Sequence, residues 1–484
     1  MFYHISDIKK FLHCERIYFY SNKDINNAFQ PYLRSDESIN DLLVKYLNIN
    51  DCYKGAKNDS NDKFLNALNS YEWFEHPRLM DGDLRINIPY LHKNNNGYDV
   101  YFVYYGTLIK DLDLITYRIT LQILNKYNLS VNNVYLLYLN GEYKNNGTLN
   151  PSDLFLTTDS FKDKLIKETI LEGKCDYEEI ISRMKDETII NNEAKKCKYC
   201  RQAGLCDYYA ICFPNEGKIE DDSILTLVSS KNKNKMYEDG IRCLKDADID
   251  FIEGNRVQYA QIMASKNGGL FFDSQALKHW LSQLDNKQIS FIDFEWDRYL
   301  VPPYKNMRPL DVLCFEYALY YLDEKGEMQH KTFVGTGDCR KEFIEGLIND
   351  LPSEGPILAY NADGAEKLRL IELGEMFTEY KEKLLEIKDR FVDLAIPFVD
   401  GLIYDTRMKG NYTLKKLVDI VSDYSYSDLN IYDGMGAVYN WRDIDKGSAD
   451  EEKIISDLKE YCSLDAYGLF LVYKWLVKLI NESK

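Results

Sequence analysis

The order of apolar and polar residues divides the chain into two patterned regions joined by a less regular one. Alternating or continuous apolar runs predict strands, and apolar residues repeated every three or four positions predict helices. In the first region the predicted strands are 84–91, 98–109 and 133–140, with a predicted helix at 114–128. In the last region the predicted strands are 290–296, 311–322, 331–335 and 356–362, and the predicted helices are 339–351, 412–423 and 448–480.

This organisation predicts an α/β protein of more than one domain. With 484 residues, the chain is too long for a single hydrophobic core. We place an N-terminal lobe at 1–215, a mostly helical connecting module at 216–285 and a C-terminal domain at 286–484. In the last domain three strands precede a helix, a strand and further helices, so we expect a mixed sheet flanked by helices.

Two acidic residues lie inside the first strand of the C-terminal domain, in the stretch QISFIDFEWDRYLVPP. Asp293 and Glu295 flank Phe294, and side chains two apart in a strand point to the same face. The apolar residues upstream indicate that this strand is buried. Two buried carboxylates on one face repel each other and have lost water, so a compensating group such as a metal ion is favoured. The alternative is that they are surface acids of an ordinary α/β domain.

Further acids occur in apolar surroundings later in the chain. The predicted terminal helix contains EYCSLDAYGLF, where Tyr461 and Asp465 are four residues apart and share one helical face. In ILAYNADGAEKLRL a strand runs into a helix that carries Asp363 and Glu366. These positions predict a cluster of acids drawn from three separate elements.

This order of motifs resembles the DEDD exonucleases, which have the DnaQ-like form of the ribonuclease H fold. The resemblance implies two Mg²⁺ or Mn²⁺ ions, which activate a water and stabilise the leaving oxygen. The acids that it assigns to these ions are Asp293, Glu295, Glu366 and Asp465. Tyr461 would orient the attacking water, as in the tyrosine subclass of the family. The second motif departs from the family, where Asp is usual; Glu366 is the best-aligned acid, and Asp363 is the alternative.

A cluster of cysteines closes the N-terminal lobe. The cysteines in CKYCRQAGLCDYYAIC are Cys197, Cys200, Cys206 and Cys212, and Cys14 lies far upstream. Four thiolates can hold an iron–sulfur cluster or a zinc ion. One upstream cysteine with a compact later group is similar to RecB-like nucleases, and that resemblance implies a 4Fe–4S cluster, with structural Zn²⁺ as the alternative. Which four of the five cysteines would bind remains open.

A RecB-like lobe should carry the PD-(D/E)XK site, which needs Asp on one strand and Glu-x-Lys on the next. Asn87 stands at the Asp position, and Phe102 and Tyr104 occupy the region of the acid and the lysine. The lobe is therefore predicted to be a degenerate nuclease. The alternative set, which we expect to be a surface turn, is Glu142 and Lys144 with Asp83 or Asp99. The fusion of such a lobe to a DnaQ-like domain resembles an uncharacterised bacterial family.

Net charge and the two chain ends bear on partners and location. A net charge of −18 argues against a broad non-specific nucleic-acid coat, but it does not exclude a nuclease with an acidic site. Charged residues interrupt the first twenty positions and the apolar stretch 467–480, so we expect a cytoplasmic protein without a membrane segment. The expected activity is a 3′→5′ exonuclease on single-stranded DNA or RNA, with a possible protein partner for the N-terminal lobe. The alternative is a catalytically decayed nucleic-acid-binding or assembly protein.

Overall fold

The protein is a mixed α/β structure built around several mixed sheets. The computed structural model describes residues 2–21, 33–110, 112–162, 164–171, 175–192, 208–212, 221–252, 254–284, 287–445, 447 and 450–482. None of the helices in these ranges carries an uncharged apolar run of the length that a bilayer crossing requires. The chain separates into two compact units, Met1–Lys195 with Tyr299–Asp311, and Lys196–Arg298 with Val312–Lys484. The segment predicted as a connecting module, 216–285, belongs to the second unit.

The first unit contains two sheets among its described residues. Its strands are β1 (Tyr3–His4), β2 (Tyr53–Lys54), β3 (Trp73–Glu75), β4 (Arg78–Asp81), β5 (Leu84–Asn87), β6 (Tyr90–Asn94), β7 (Gly97–Tyr104), β8 (Val131–Leu139) and β9 (Phe155–Asp159). Its helices are α1 (Ile5–His13), α2 (Glu15–Ser21), α3 (Ile39–Tyr46), α4 (Asn61–Ala67), α5 (Leu114–Lys126), α6 (Pro151–Leu154), α7 (Lys164–Leu171) and α8 (Tyr177–Met184). The sheet orders are β1-β5-β4 and β2-β3-β6-β7-β8-β9.

The strand predicted at 84–91 is wrong as a single element. The structure divides it into β5 and β6, which belong to different sheets. Pro89 lies between them, and proline has no N–H to donate to a strand ladder. The strands and the helix predicted around 98–140 are confirmed as β7, α5 and β8, with β7 and β8 parallel.

The second unit carries the remaining elements. Its strands are β10 (Leu270–Phe272), β11 (Ser290–Arg298), β12 (Val312–Leu322), β13 (Met328–Val334), β14 (Ile357–Ala359), β15 (Phe391–Asp393) and β16 (Ile403–Asp405). Its helices are α9 (Tyr209–Cys212), α10 (Lys233–Glu238), α11 (Arg256–Lys266), α12 (Ser274–Ser282), α13 (Arg340–Asp350), α14 (Glu366–Met376), α15 (Lys381–Asp389), α16 (Ile396–Val399), α17 (Leu414–Val421), α18 (Gly434–Asp445) and α19 (Glu451–Glu482).

The mixed sheet predicted for the C-terminal domain is confirmed. The strands run in the order β13-β12-β11-β14-β15. β11, β12 and β13 are antiparallel, whereas β14 and β15 continue parallel to β11. β10 and β16 form a separate antiparallel pair.

Alternation along β11 assigns its side chains to two environments. Ile292 and Phe294 enter the hydrophobic core, where Phe294 meets the ring of Phe343 from α13 edge to face at 5.1 Å. The opposite face is covered by α19, whose Phe470 packs edge to face on Phe291 at 5.5 Å. The two acids of β11 therefore lie beneath the long terminal helix, on the face that the period-two pattern predicts.

Candidate metal centre

Three acids from two elements meet between β11 and α19. Ligand oxygens of Asp293, Glu295 and Asp465 all lie within 4.8 Å of one another. Asp465 is buried, whereas Asp293 and Glu295 keep part of their surface accessible. Small side chains allow the helix to approach the sheet here: Cys462 of α19 contacts Ala318, the β12 partner of Asp293. Separations of this size suit oxygen ligands of one or two small cations.

Glu366 is the fourth acid that the structure brings to this site. It is the first residue of α14, is 2% exposed, and its Oε2 has no hydrogen-bond partner among the described residues. Its charge acts on both Asp293 and Glu295 and raises the pKa of each carboxyl. Asp363, the alternative for this position, is 76% exposed at its side chain and binds Lys367 at 2.6 Å. Of these two acids, the geometry therefore brings Glu366 to the centre.

Two tyrosines and one lysine border the acids. The hydroxyl of Tyr426 donates a hydrogen bond to Oδ1 of Asp465 at 2.6 Å. Tyr461 is 3% exposed. Burial is the main cause that raises the pKa of its hydroxyl, and the nearby charges of Asp465 and Glu295 raise this pKa further. The ammonium of Lys415 lies 4.7 Å from the centre of the Tyr461 ring and donates to the carbonyl of Tyr432 at 2.7 Å. The positive charge of Lys415 lowers the pKa of Glu295 and of Asp465.

Burial raises the pKa of every acid in the group, and the charges of the neighbouring acids raise the pKa of Asp293 and Glu295 further. For Asp293 the principal cause is loss of water, followed by the charges of Asp465 and Glu295. Burial likewise raises the pKa of Glu295 and of Asp465. It raises the pKa of Glu366 to about 8. Without a bound cation these carboxyls therefore hold protons more tightly than free carboxylic acids do.

A third acid of the same strand has a different environment. Asp297 accepts two hydrogen bonds from Arg442 of α18, at 2.8 Å from Nε and 2.6 Å from Nη2. The two side chains are 1% and 5% exposed, so this is a buried bidentate ion pair. In the described part of the chain, Asp293 and Glu295 have no such partner. The fold thus compensates one acid of β11 with an arginine, whereas Asp293 receives the thiol of Cys462 and Glu295 only the more distant charge of Lys415.

Sequence reasoning missed three residues that lie beside these acids. Glu316 of β12 lies opposite Glu295 in the strand register and is completely buried. A lone acid in the apolar run DVLCFEYALYYL was the available signal for it. Lys415 stands in a helix whose sequence gave no reason to choose it over Lys416. Tyr426 is one of 39 tyrosines, and no sequence signal distinguished it.

The first unit does not bring its proposed nuclease positions together. Asn87 lies on β5, whereas Phe102 and Tyr104 lie on β7 of the other sheet. Phe102 is in addition a core residue, with its ring 4.2 Å from that of Tyr117. In the alternative set Glu142 and Lys144 are both exposed, Asp83 pairs with Lys185, and Asp99 accepts hydrogen bonds from Asn94 and Asn133.

The predicted cysteine cluster falls largely outside the described residues. Cys197, Cys200 and Cys206 lie in a segment that the structure does not describe. Cys14 is half-buried between α1 and α2, and Cys212 is the last residue of α9. The cluster and its metal therefore stay a prediction.

Comparison with known proteins gives one match. A protein-family model described as "Domain of unknown function (DUF2779)" matches residues 290–413. Neither the curated proteins nor the solved structures gave a match. The matched segment begins at β11 and includes Asp293, Glu295 and Glu366, and it ends before Tyr461 and Asp465. Over this part of the second unit, the chain is similar to the DUF2779 family.

Proposed function

We propose that the protein is a metal-dependent 3′→5′ exonuclease that hydrolyses single-stranded DNA or RNA. One observation carries the proposal: oxygens of Asp293, Glu295 and Asp465 converge within 4.8 Å, with no ion-paired cation among the described residues. Structural acids are normally compensated, as Asp297 is by Arg442. Carboxylates that converge without such a partner are the usual ligands of divalent cations.

The residues present fit Mg²⁺ or Mn²⁺. Carboxylate oxygens are the hard ligands that both ions prefer, and Glu366 adds a further unpartnered buried oxygen. Asp293, Glu295, Glu366 and Asp465 would hold the ions. Bound there, divalent ions supply a water of lowered pKa and neutralise the charge that develops on the phosphate.

The other residues of the centre have roles that follow from their positions. The Tyr461 hydroxyl lies beside Asp465 and Glu295, where it can orient the attacking water. Lys415 keeps its ammonium next to the Tyr461 ring, where it can contact a phosphate oxygen of the strand. The direction of hydrolysis and the preference for a single strand rest on the resemblance to the DEDD exonucleases. The ribonuclease H-like form of the domain rests on it too, and the five-stranded mixed sheet supports it.

The first unit is proposed to assist rather than to cut. Its strands resemble a RecB-like lobe that has lost the PD-(D/E)XK residues, and such a lobe would guide the strand or recruit a partner protein. Cys14 with three of Cys197, Cys200, Cys206 and Cys212 would hold a 4Fe–4S cluster or, alternatively, zinc. Eleven cysteines in one chain agree with a reducing, cytoplasmic location.

The test is degradation of end-labelled single strands by anaerobically purified full-length protein with Mn²⁺. We expect stepwise shortening from the 3′ end, abolished in Asp293→Asn and in Asp465→Asn. Asp363→Asn removes a neighbouring exposed carboxylate outside the centre and should keep wild-type activity. Strand binding without shortening, by wild-type protein that binds Mn²⁺, would favour a nucleic-acid-binding or assembly protein instead.

A further inference from the structure

A fifth carboxyl group lies beside the metal centre, on the neighbouring strand. Glu316 of β12 is paired in register with Glu295 of β11. Residues directly opposite each other in antiparallel strands have Cβ atoms about 5 Å apart and project from the same face of the sheet. Glu316 therefore extends toward the side of the sheet that carries the acids and α19.

Within the part of the chain that the structure describes, Glu316 has no partner that would explain its burial. It is 0% exposed, and neither carboxylate oxygen has a hydrogen-bond partner among the described residues. The positive charge of Lys459 lowers the pKa of Glu316, but Lys459 is an exposed residue of α19 and makes no ion pair with Glu316 in the described structure. A buried carboxylate without hydrogen bonds or a counter-charge is rare, because desolvation of the charge is costly.

The strand geometry at this point is also irregular. Glu295 pairs with Glu316, but Trp296 pairs with Cys314, so Phe315 has no partner on β11. Such a bulge redirects side chains and is frequent beside functional sites. Phe315 is held in its place by stacking on Trp441, with ring centres 4.5 Å apart. The bulge thus begins directly after the position where Glu316 pairs with Glu295.

We propose that Glu316 is a fifth acid of the metal centre, which accepts hydrogen bonds from water molecules on the divalent ion held by Glu295 and Asp465. This inference rests on the proposed metal site and extends it. Mg²⁺ and Mn²⁺ retain several waters when only a few carboxylates bind them, and those waters need acceptors. The two unpartnered oxygens of Glu316 are acceptors of this kind, next to a ligand and shielded from bulk solvent.

The test is Mn²⁺ binding by full-length protein, measured as loss of the free Mn²⁺ signal in electron paramagnetic resonance. Glu316→Gln keeps the shape of the side chain and removes its charge. We expect it to weaken Mn²⁺ binding by about 10- to 100-fold, the usual effect of losing an outer-sphere partner. Glu324→Gln removes the same charge from an exposed turn beyond the end of β12 and should bind Mn²⁺ as the wild type does.

The melting temperature with and without Mn²⁺ supplies a second readout. Metal-free Glu316→Gln should melt at or above the wild-type temperature, because an unpartnered acid is removed, but it should gain less from Mn²⁺. Unchanged Mn²⁺ affinity in folded Glu316→Gln, with binding lost in Asp293→Asn, would overturn the role of Glu316 and leave the proposed function standing. Wild-type protein that binds no Mn²⁺ would overturn both.

Discussion

The acids of the centre should make the metal-free protein less stable as pH rises. Burial holds the pKa of Glu366 at about 8, whereas its ordinary value is 4.5. Between these two pH values the unfolded chain releases the proton and the folded protein keeps it. The folded state then binds more protons than the unfolded state, so the free energy of unfolding falls as pH increases. The stabilisation is fully present below about pH 4.5 and is lost by about pH 8.

The size of the effect follows from the same two values. The difference between 4.5 and about 8, at about 1.36 kcal/mol per pH unit, corresponds to a loss on the order of 5 kcal/mol from Glu366 alone. The pKa values of Asp293 and Glu295 are shifted in the same direction and add to the slope. This loss is comparable to the whole stability of an ordinary domain.

Urea denaturation at a series of pH values, followed by tryptophan fluorescence, measures this slope. The probe is favourable because four of the five tryptophans belong to the second unit: Trp280, Trp296, Trp441 and Trp475. Saturating Mn²⁺ should flatten or invert the slope, because the ion binds the ionised carboxylates. Glu366→Gln should reduce the slope in metal-free protein. A free energy of unfolding that rises from pH 5 to pH 8 without metal would refute the reasoning.

Three further outcomes are expected from the geometry. Glu366→Gln should lower Mn²⁺ affinity at least tenfold in a titration, because the charge of Glu366 acts on Asp293 and Glu295. Asp363→Asn should leave the affinity unchanged, because Asp363 is exposed and pairs with Lys367. Tyr461→Phe should reduce the single-turnover cleavage rate by about 100-fold, with Mn²⁺ affinity within about threefold of wild type, because it removes a hydroxyl and no metal ligand. Arg442→Met should lower the free energy of unfolding by about 3–5 kcal/mol in urea denaturation at pH 7, because it removes the cation and both side-chain hydrogen bonds that Arg442 gives to the buried Asp297 carboxylate. A loss below about 1 kcal/mol would contradict the importance of this ion pair.

Several elements of the second unit could be predicted because their patterns are strong. The period-two alternation through residues 290–296 assigned Asp293 and Glu295 to one face, and the four-residue spacing put Tyr461 and Asp465 on one side of a helix. Local pattern is sufficient for both statements, because each concerns side chains of a single element. Which faces meet is a tertiary fact, and the order of motifs supplied it only through the resemblance to a family.

The features that could not be predicted depend on register and on helix ends. Glu316 reaches the centre because of the pairing of β12 with β11, and a shift by one residue would turn it to the other face. The choice between Asp363 and Glu366 depends on where α14 begins, which is at Glu366, so that the acid three residues earlier stays in an exposed turn. To predict that 84–91 is divided, Pro89 would have had to count for more than the alternating apolar pattern of this stretch.

The contrast between the three acids of β11 connects stability to function. Asp297, Glu295 and Asp293 follow the same alternation, yet among the described residues an arginine pairs with Asp297 and with neither of the other two. An arginine at the other two would have removed the repulsion and raised stability, but it would also have occupied the space that a cation needs. The protein instead keeps Asp293 and Glu295 close together, and protonation at low pH removes the repulsion between them. At neutral pH a divalent ion would reduce this repulsion more than a proton does, because one ion neutralises several carboxylates at once while a proton neutralises one. The repulsion that lowers the stability of the metal-free fold would be removed when a metal binds. Its removal therefore contributes to the free energy of metal binding.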